Sequence, residues 1–276
     1  MPLFFRLLHH VDPVEIVTQR IIWSLLLILA ILALRGALLP MLAALRDRRL
    51  LLSLSLSALF IGINWLTYVW SVNHGHVVAA SLGYFLNPLV NVALGVLVLK
   101  EKLRPAQVIA IIVASVGVAI LATSAMTTLW ISLTLAFSFA FYALVRKLTP
   151  VAPMTGLGVE TLLLTPLAGA YLFWEAGHGG IGFGQDVLTS ALLILAGAVT
   201  TVPLVLFAVA AHRLPMATLG LMQFLAPTLQ FLCGILLLGE KLNLGQVASF
   251  GLIWLGLILF VADSVAVARR QRWAAA

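Results

Sequence analysis

Two ionisable side chains stand inside long apolar runs of this chain. Arg20 lies about a turn and a half into the run that starts near Val14, and Glu160 lies at a similar depth in the run that starts near Gly156. On insertion scales a central Arg or Asp costs about 2.5 to 3.5 kcal/mol in a bilayer, so each such residue asks for a partner or a wet cavity. The planar fork of Arg20 suits a substrate carboxylate or phosphate near the outer mouth of a membrane protein; snorkelling to the outer interface is its alternative. Glu160 suits proton coupling, because a carboxyl group trades its charge for a proton as its surroundings change. The alternative for Glu160 is an inner-interface residue paired with Arg146 or Lys147.

Further polar residues fall at helical spacing. Asn64, Trp65, Tyr68 and Ser71 make one polar-aromatic stripe, and Tyr84, Asn87 and Asn91 share a face that flanks Pro88. Buried amides and phenols need partners in a membrane, which a hydrated or substrate-filled cavity supplies and which contacts between helices supply too. Gln223, Pro227 and Gln230 offer a matching face later in the chain. The expected substrate-contacting set is therefore Arg20, Trp23, Asn64, Trp65, Tyr68, Tyr84, Asn87, Asn91, Gln223 and Gln230, with Glu160 for proton coupling. Pro88 and Pro227 are the expected hinges, since a mid-span proline removes one backbone hydrogen bond and kinks the helix.

Enzyme chemistry finds no foothold: no glycine-rich phosphate loop, no His-Glu metal pair and no Gly-x-Ser-x-Gly elbow is present. His74 and His76 read as an outer-face turn, because two histidines need further ligands to hold a metal. The single cysteine, Cys233, leaves no internal disulfide or zinc cluster and reads as a buried small residue. No metal and no cofactor is expected.

Arg20 and Glu160 are 140 residues apart, and that interval pervades the chain. Phe85, Leu86, Pro88, Gly95, Leu97, Leu99, Glu101, Lys102, Leu103, Gln107, Val108 and Gly117 recur 139 positions on as Phe224, Leu225, Pro227, Gly234, Leu236, Leu238, Glu240, Lys241, Leu242, Gln246, Val247 and Gly256. Arg6, Leu8, Val11 and Pro13 match Arg146, Leu148, Val151 and Pro153 at 140. The chain is a duplication, with copies over 1–125 and 126–276. Arg20 and Glu160 are repeat mates, as are Pro88 and Pro227, and Asn91 and Gln230.

The elements that hold these residues are membrane helices. With 63% hydrophobic and 9% charged residues and a mean hydropathy of +1.15, the sequence cannot cover a water-soluble surface. Apolar runs near 14–34, 50–73, 77–99, 105–125, 128–146, 156–175, 187–210, 216–238 and 245–267 are each about 20 residues long, enough for ~30 Å of hydrocarbon. Gly36 to Leu50 reads as an interfacial helix or a basic loop. The formal charge of +7 sits in short breaks between spans, which argues for orientation in a bilayer and against nucleic acid.

Thirteen of the sixteen Lys and Arg fall on one side: Arg35, Arg46, Arg48, Arg49, Lys100, Lys102, Arg104, Arg146, Lys147, Arg213, Arg269, Arg270 and Arg272. The positive-inside rule makes that side, and the C-terminus, cytoplasmic. Glu101-Lys102 then lies inside and its copy Glu240-Lys241 outside, so the repeats are inverted and need an odd number of helices each. Arg20 and Glu160 thereby fall near opposite faces, several turns apart, with no direct salt bridge expected. The second copy starts with the span Thr128 to Arg146, whose counterpart would run from about −12 to Arg6. The expected parent has ten spans, with most of the first helix upstream of Met1.

The stretch Ile63-Asn64-Trp65-Leu66-Thr67-Tyr68-Val69-Trp70-Ser71-Val72-Asn73-His74-Gly75-His76-Val77, with Ala80-Ser81-Leu82-Gly83-Tyr84-Phe85-Leu86-Asn87-Pro88-Leu89-Val90-Asn91, closely resembles the RarD group of EamA-type transporters in the drug/metabolite transporter superfamily. Gln19-Arg20-Ile21-Ile22-Trp23-Ser24 and the segment Leu219 to Phe231 extend the likeness over essentially the whole chain. The resemblance implies an all-α, ten-helix inner-membrane permease of two inverted five-helix repeats. Such a permease moves small metabolites or drugs through a central cavity by alternating access, by export or exchange. The fifth helix of each half, 105–125 and 245–267, is expected at the periphery or at a homodimer contact. The rival reading is a membrane scaffold or partner subunit that transports nothing.

Overall fold

The computed structural model describes residues 4, 7, 8, 10–74, 76–229 and 244–275. Gln230, Cys233, Gly234 and the Glu240-Lys241 pair lie outside the described residues. The described chain is helical, with one isolated bridge between Phe183 and Asp186, and eight of its helices are long and apolar enough to cross a membrane.

The helices begin where the sequence places caps and prolines. Asp12 Oδ1 accepts from Val14 N at 2.8 Å and opens α1 (Pro13–Leu34), while Asp47 Oδ1 accepts from Arg49 N at 2.8 Å. The short α2 (Leu38–Arg46) precedes it, burying Met41 and Ala44 and exposing Leu39, and α3 (Arg48–Asn73) follows. Next come α4 (Val77–Leu97), α5 (Pro105–Ala122), a 3-10 turn over Thr123–Thr128 and α6 (Leu129–Leu148). The rest are α7 (Pro153–His178), α8 (Val187–Arg213), α9 (Met216–Met222) and α10 (Leu244–Ala275).

The predicted span 216–238 is not one continuous helix. After α9 the chain turns at Gln223 and Phe224 before helix resumes to Leu229. Pro227 has no N–H for the Gln223 carbonyl four residues back, so the ladder is cut at that place. Its repeat mate Pro88 sits inside an unbroken α4.

Packing divides the chain into two compact units: Met1–Asn73 with Phe141–Arg213, and His74–Ala140 with Leu214–Ala276. Each unit thus draws helices from both sequence copies. In the first, α1 packs on α7 and α8, and α7 also packs on α2 and α3. Its core joins Leu25, Ile28, Leu32, Met41, Leu54, Leu157 and Val159. A Cβ on Gly197 would come within 2.7 Å of the Trp23 backbone carbon, so α1 and α8 cross almost backbone to backbone there.

In the second unit, repeat mates pack on each other: α4 on α9 and α5 on α10. Their registers run in opposite directions. Along α5, Arg104 reaches Asp263 (Nε to Oδ2, 2.7 Å), Ala110 meets Gly256, and Gly117 meets Ser249. The Gly117 and Gly256 contacts exchange repeat mates, since Ala110 and Ser249 are also 139 apart. Leu82, Phe85, Ala114, Leu221, Phe224, Phe250 and Ile253 fill the core between these pairs.

Lys100 adopts a left-handed φ of 55°, which turns the chain after α4 so that Glu101 N donates to Gly95 O at 2.9 Å. The Glu101 carboxylate then accepts from Met216 N at 2.7 Å and Ala217 N at 3.0 Å, capping α9 with a full negative charge. We expect Glu101→Ala to cost about 1 to 2 kcal/mol, with Glu101→Gln milder; thermal unfolding in detergent checks the order.

Candidate functional site

Chemistry-bearing residues gather in three clusters. The first surrounds Glu160, which the 3.6-residue period of α7 turns into the first unit, where it is 1% exposed. Ser57 Oγ on α3 donates to Glu160 Oε1 at 2.6 Å. Arg146, from the last turn of α6 and 0% exposed, places Nη1 3.5 Å from the same oxygen. The Tyr142 phenol, one turn earlier and also fully buried, interacts with the same carboxylate. Arg146 Nη2 donates to Pro153 O at 2.9 Å, but Nε and Nη1 make no hydrogen bond. The guanidinium occupies the space where Gly156 lacks a side chain; a Cβ there would overlap Nη1. His212 Nε2 donates to Arg146 O at 2.7 Å and Lys147 Nζ to Ala211 O at 3.2 Å, which ties this corner to the end of α8.

The sequence alternative for Glu160 names Arg146 as its partner. The two do pair, and both are buried. The partners come from short-range helical geometry: Tyr142 and Arg146 are four apart on α6, and the Pro153 start of α7 brings Gly156 beneath the guanidinium. Sequence reading did not single out Ser57, Tyr142 or Gly156.

The second cluster surrounds Arg20 on α1. Its Nε donates to Thr200 Oγ1 on α8 at 2.8 Å, and its guanidinium carbon lies 5.3 Å from the centre of the Trp65 ring on α3. The repeat mates Arg20 and Glu160 therefore each meet a hydroxyl on a helix from the other copy. Trp23 Nε1 donates to Gln19 Oε1 at 3.1 Å, and its ring rests 5.7 Å from Phe183. Phe183 belongs to the 179–186 loop, which sequence reading missed. Glu15, buried in the first turn of α1, holds that loop by accepting from Gly182 N at 2.9 Å and Phe183 N at 3.0 Å. At the end of the loop, the Thr189 hydroxyl and backbone N–H keep the Asp186 carboxyl below the usual carboxylate range. On α3, Asn64 and Ser71 are buried and Trp65 and Tyr68 half-buried; Ser71 Oγ donates to Tyr68 O at 2.7 Å.

The third cluster lies in the second unit. Asn87 Nδ2 and Asn91 Nδ2 on α4 both donate to Gln223 Oε1 at 2.7 Å, just past the end of α9. Asn91 Nδ2 also reaches Asn87 Oδ1 at 3.3 Å. Tyr84, one turn before, is half-buried, and Pro88 and Pro227 are both buried. The helices meet at Gly220, where a Cβ would stand 2.6 Å from Pro88 O. Among the described residues no three His, Cys, Asp or Glu converge as metal ligands.

The model of the EamA-like transporter family matches residues 1–123 and again 126–262. The chain is 45% identical to an uncharacterized transporter of Pseudomonas aeruginosa, covering 98% of this chain and 91% of that protein. It is 41% identical to the protein RarD of Escherichia coli, again over 98% and 91%. Among solved structures, one crystal structure aligns with a TM-score of 0.69 at 17% identity, covering 95% of this chain and 90% of the other, a likeness of fold alone.

Proposed function

Because the chain belongs to the EamA-like transporter family, we propose that it is a secondary active transporter of small metabolites or drugs, working by alternating access in the inner membrane with its C-terminus cytoplasmic. Its described helices make it a multi-span membrane protein. The opposed registers of α4 on α9 and α5 on α10 support inverted repeats. The thirteen Lys and Arg on one side support the orientation.

The observation that carries the transport mechanism is the Arg146–Glu160 pair, both partners buried in apolar helices with two guanidinium nitrogens unbonded. A buried pair with incomplete hydrogen bonding costs more than apolar packing would. A chain selected for stability alone has no use for it, whereas a transporter gains a carboxylate that exchanges a proton when its cation moves away. Arg20 with Trp65, and the Asn87, Asn91 and Gln223 amides, are the proposed substrate contacts; Pro88 and Pro227 are the proposed hinges. A peripheral α5–α10 pair remains the proposed homodimer contact.

The test uses proteoliposomes loaded with a pH-sensitive dye and challenged with amino acids, nucleosides and amphiphilic drugs. We expect at least one compound to drive proton movement through the wild-type chain. Glu160→Gln should abolish that coupling while sparing exchange of labelled compound. Proton coupling that survives in Glu160→Gln rejects Glu160 as the coupling group, and a chain that moves none of the compounds favours the scaffold reading.

A further inference from the structure

The amide cluster of the second unit is incompletely bonded in a way that describes a ligand. Three side-chain amides can offer six N–H donors and three carbonyl acceptors. Asn87 and Asn91 spend donors on Gln223 Oε1, and what remains buried without a partner is one acceptor, Asn91 Oδ1, and one donor group, Gln223 Nε2. A concerted flip of all three amides leaves Asn91 a donor and Gln223 an acceptor, so the pattern of one of each is independent of how the amides are oriented.

Orphaned amide atoms are expensive away from water, and a proline inside one helix and the end of the other coincide with them. Pro88 stands between Asn87 and Asn91 on α4, and α9 ends at Gln223 itself. Gly220 lets the helices close to backbone contact at this crossing. The closed arrangement leaves donor and acceptor unpaired; parting the helices at Pro88 and at the end of α9 exposes both. A ligand that fills them favours the parted state by the bonds that the closed state lacks.

We propose that Asn87, Asn91 and Gln223 recognise a neutral carboxamide-like edge, a hydrogen-bond donor beside an acceptor, carried on a ring. This deepens the transport reading and rests on it for the step from ligand to cargo. A carboxylate offers no donor to Asn91 Oδ1, and an ammonium offers no acceptor to Gln223 Nε2. Among the described residues no charged side chain takes part in the cluster's hydrogen bonds to compensate either ion. The ring follows from the neighbours: Phe85 and Phe224 flank the amides on the same two segments, and Phe85 meets Phe250 edge to face at 5.1 Å.

The experiment measures thermal unfolding and equilibrium binding of the full chain in lipid nanodiscs with benzamide, benzoate, benzylamine and toluene. Benzamide is expected to bind saturably and protect, and the other three are not. Gln223→Met and Asn91→Leu should each weaken benzamide binding about tenfold or more. The isosteric Gln223→Glu covers the case in which either apolar variant misfolds, and should lose benzamide while keeping its helical circular dichroism. Equal protection by benzoate, benzylamine or toluene, no protection by benzamide, or undiminished benzamide binding in the folded variants each overturns the proposal. Because binding is read without flux, a chain that moves none of the compounds while benzamide binding stays intact would reject the transport reading alone.

Discussion

Arg146→Met is expected to cost about 3 to 5 kcal/mol of stability, while Arg146→Met combined with Glu160→Leu recovers most of that loss. The single change leaves Glu160 buried beside Ser57 and Tyr142 and takes away the cation it pairs with. The double change removes both charges and fills the space with apolar groups, which is neutral or stabilising when volumes are matched. Denaturant unfolding in detergent reads both effects, and a near-additive pair of losses would show that the two side chains do not act on each other. The double variant also separates stability from mechanism. It should fold well and still lose proton coupling, because no titratable carboxyl remains. A double variant that folds and couples normally would reduce the Arg146–Glu160 pair to a packing detail.

The spans were legible because hydropathy reports directly on where backbone must satisfy itself as helix. The runs near 14–34 and 187–210 became α1 and α8 with ends shifted by three residues or fewer. The duplication was legible too, because matched residues at a fixed interval need no structure to be seen. Partners were harder to read. Asn87, Asn91 and Gln223 could be chosen from their helical spacing, but the bonds among them depend on α4 crossing α9 at Gly220, a tertiary fact. Gly156 looked like any small residue until the Arg146 guanidinium was found against it. Glu101 recurs with Gly95 in both copies at the same spacing, but that its carboxylate caps α9 beside the space Gly95 leaves is a tertiary fact. The break after α9 was within reach, since Pro227 stands four residues beyond Gln223, but an apolar run gives no indication of where its ladder is cut.

Gly117→Val and Gly256→Val should destabilise the chain by similar amounts, each about 1 to 3 kcal/mol or more. A Cβ at Gly117 would stand 2.7 Å from Ser249 O, and one at Gly256 would stand 2.6 Å from Ala110 O. Both obstacles are backbone, which cannot swing aside as a side chain does, so α5 and α10 must move apart. The two contacts exchange repeat mates, so one structural event underlies both losses and the double variant should fall short of their sum. Gly251 supplies the control. It lies on the same α10 with open space where its Cβ would be, so Gly251→Ala should leave stability unchanged or raise it by roughly 0.5 to 1 kcal/mol through helix propensity. Unfolding midpoints of the four variants decide the matter. Strongly unequal losses at Gly117 and Gly256 would mean that the symmetry written in the sequence does not extend to the energetics of the helix pair, whereas matched losses would show that the duplicated segments still pack as one two-fold unit.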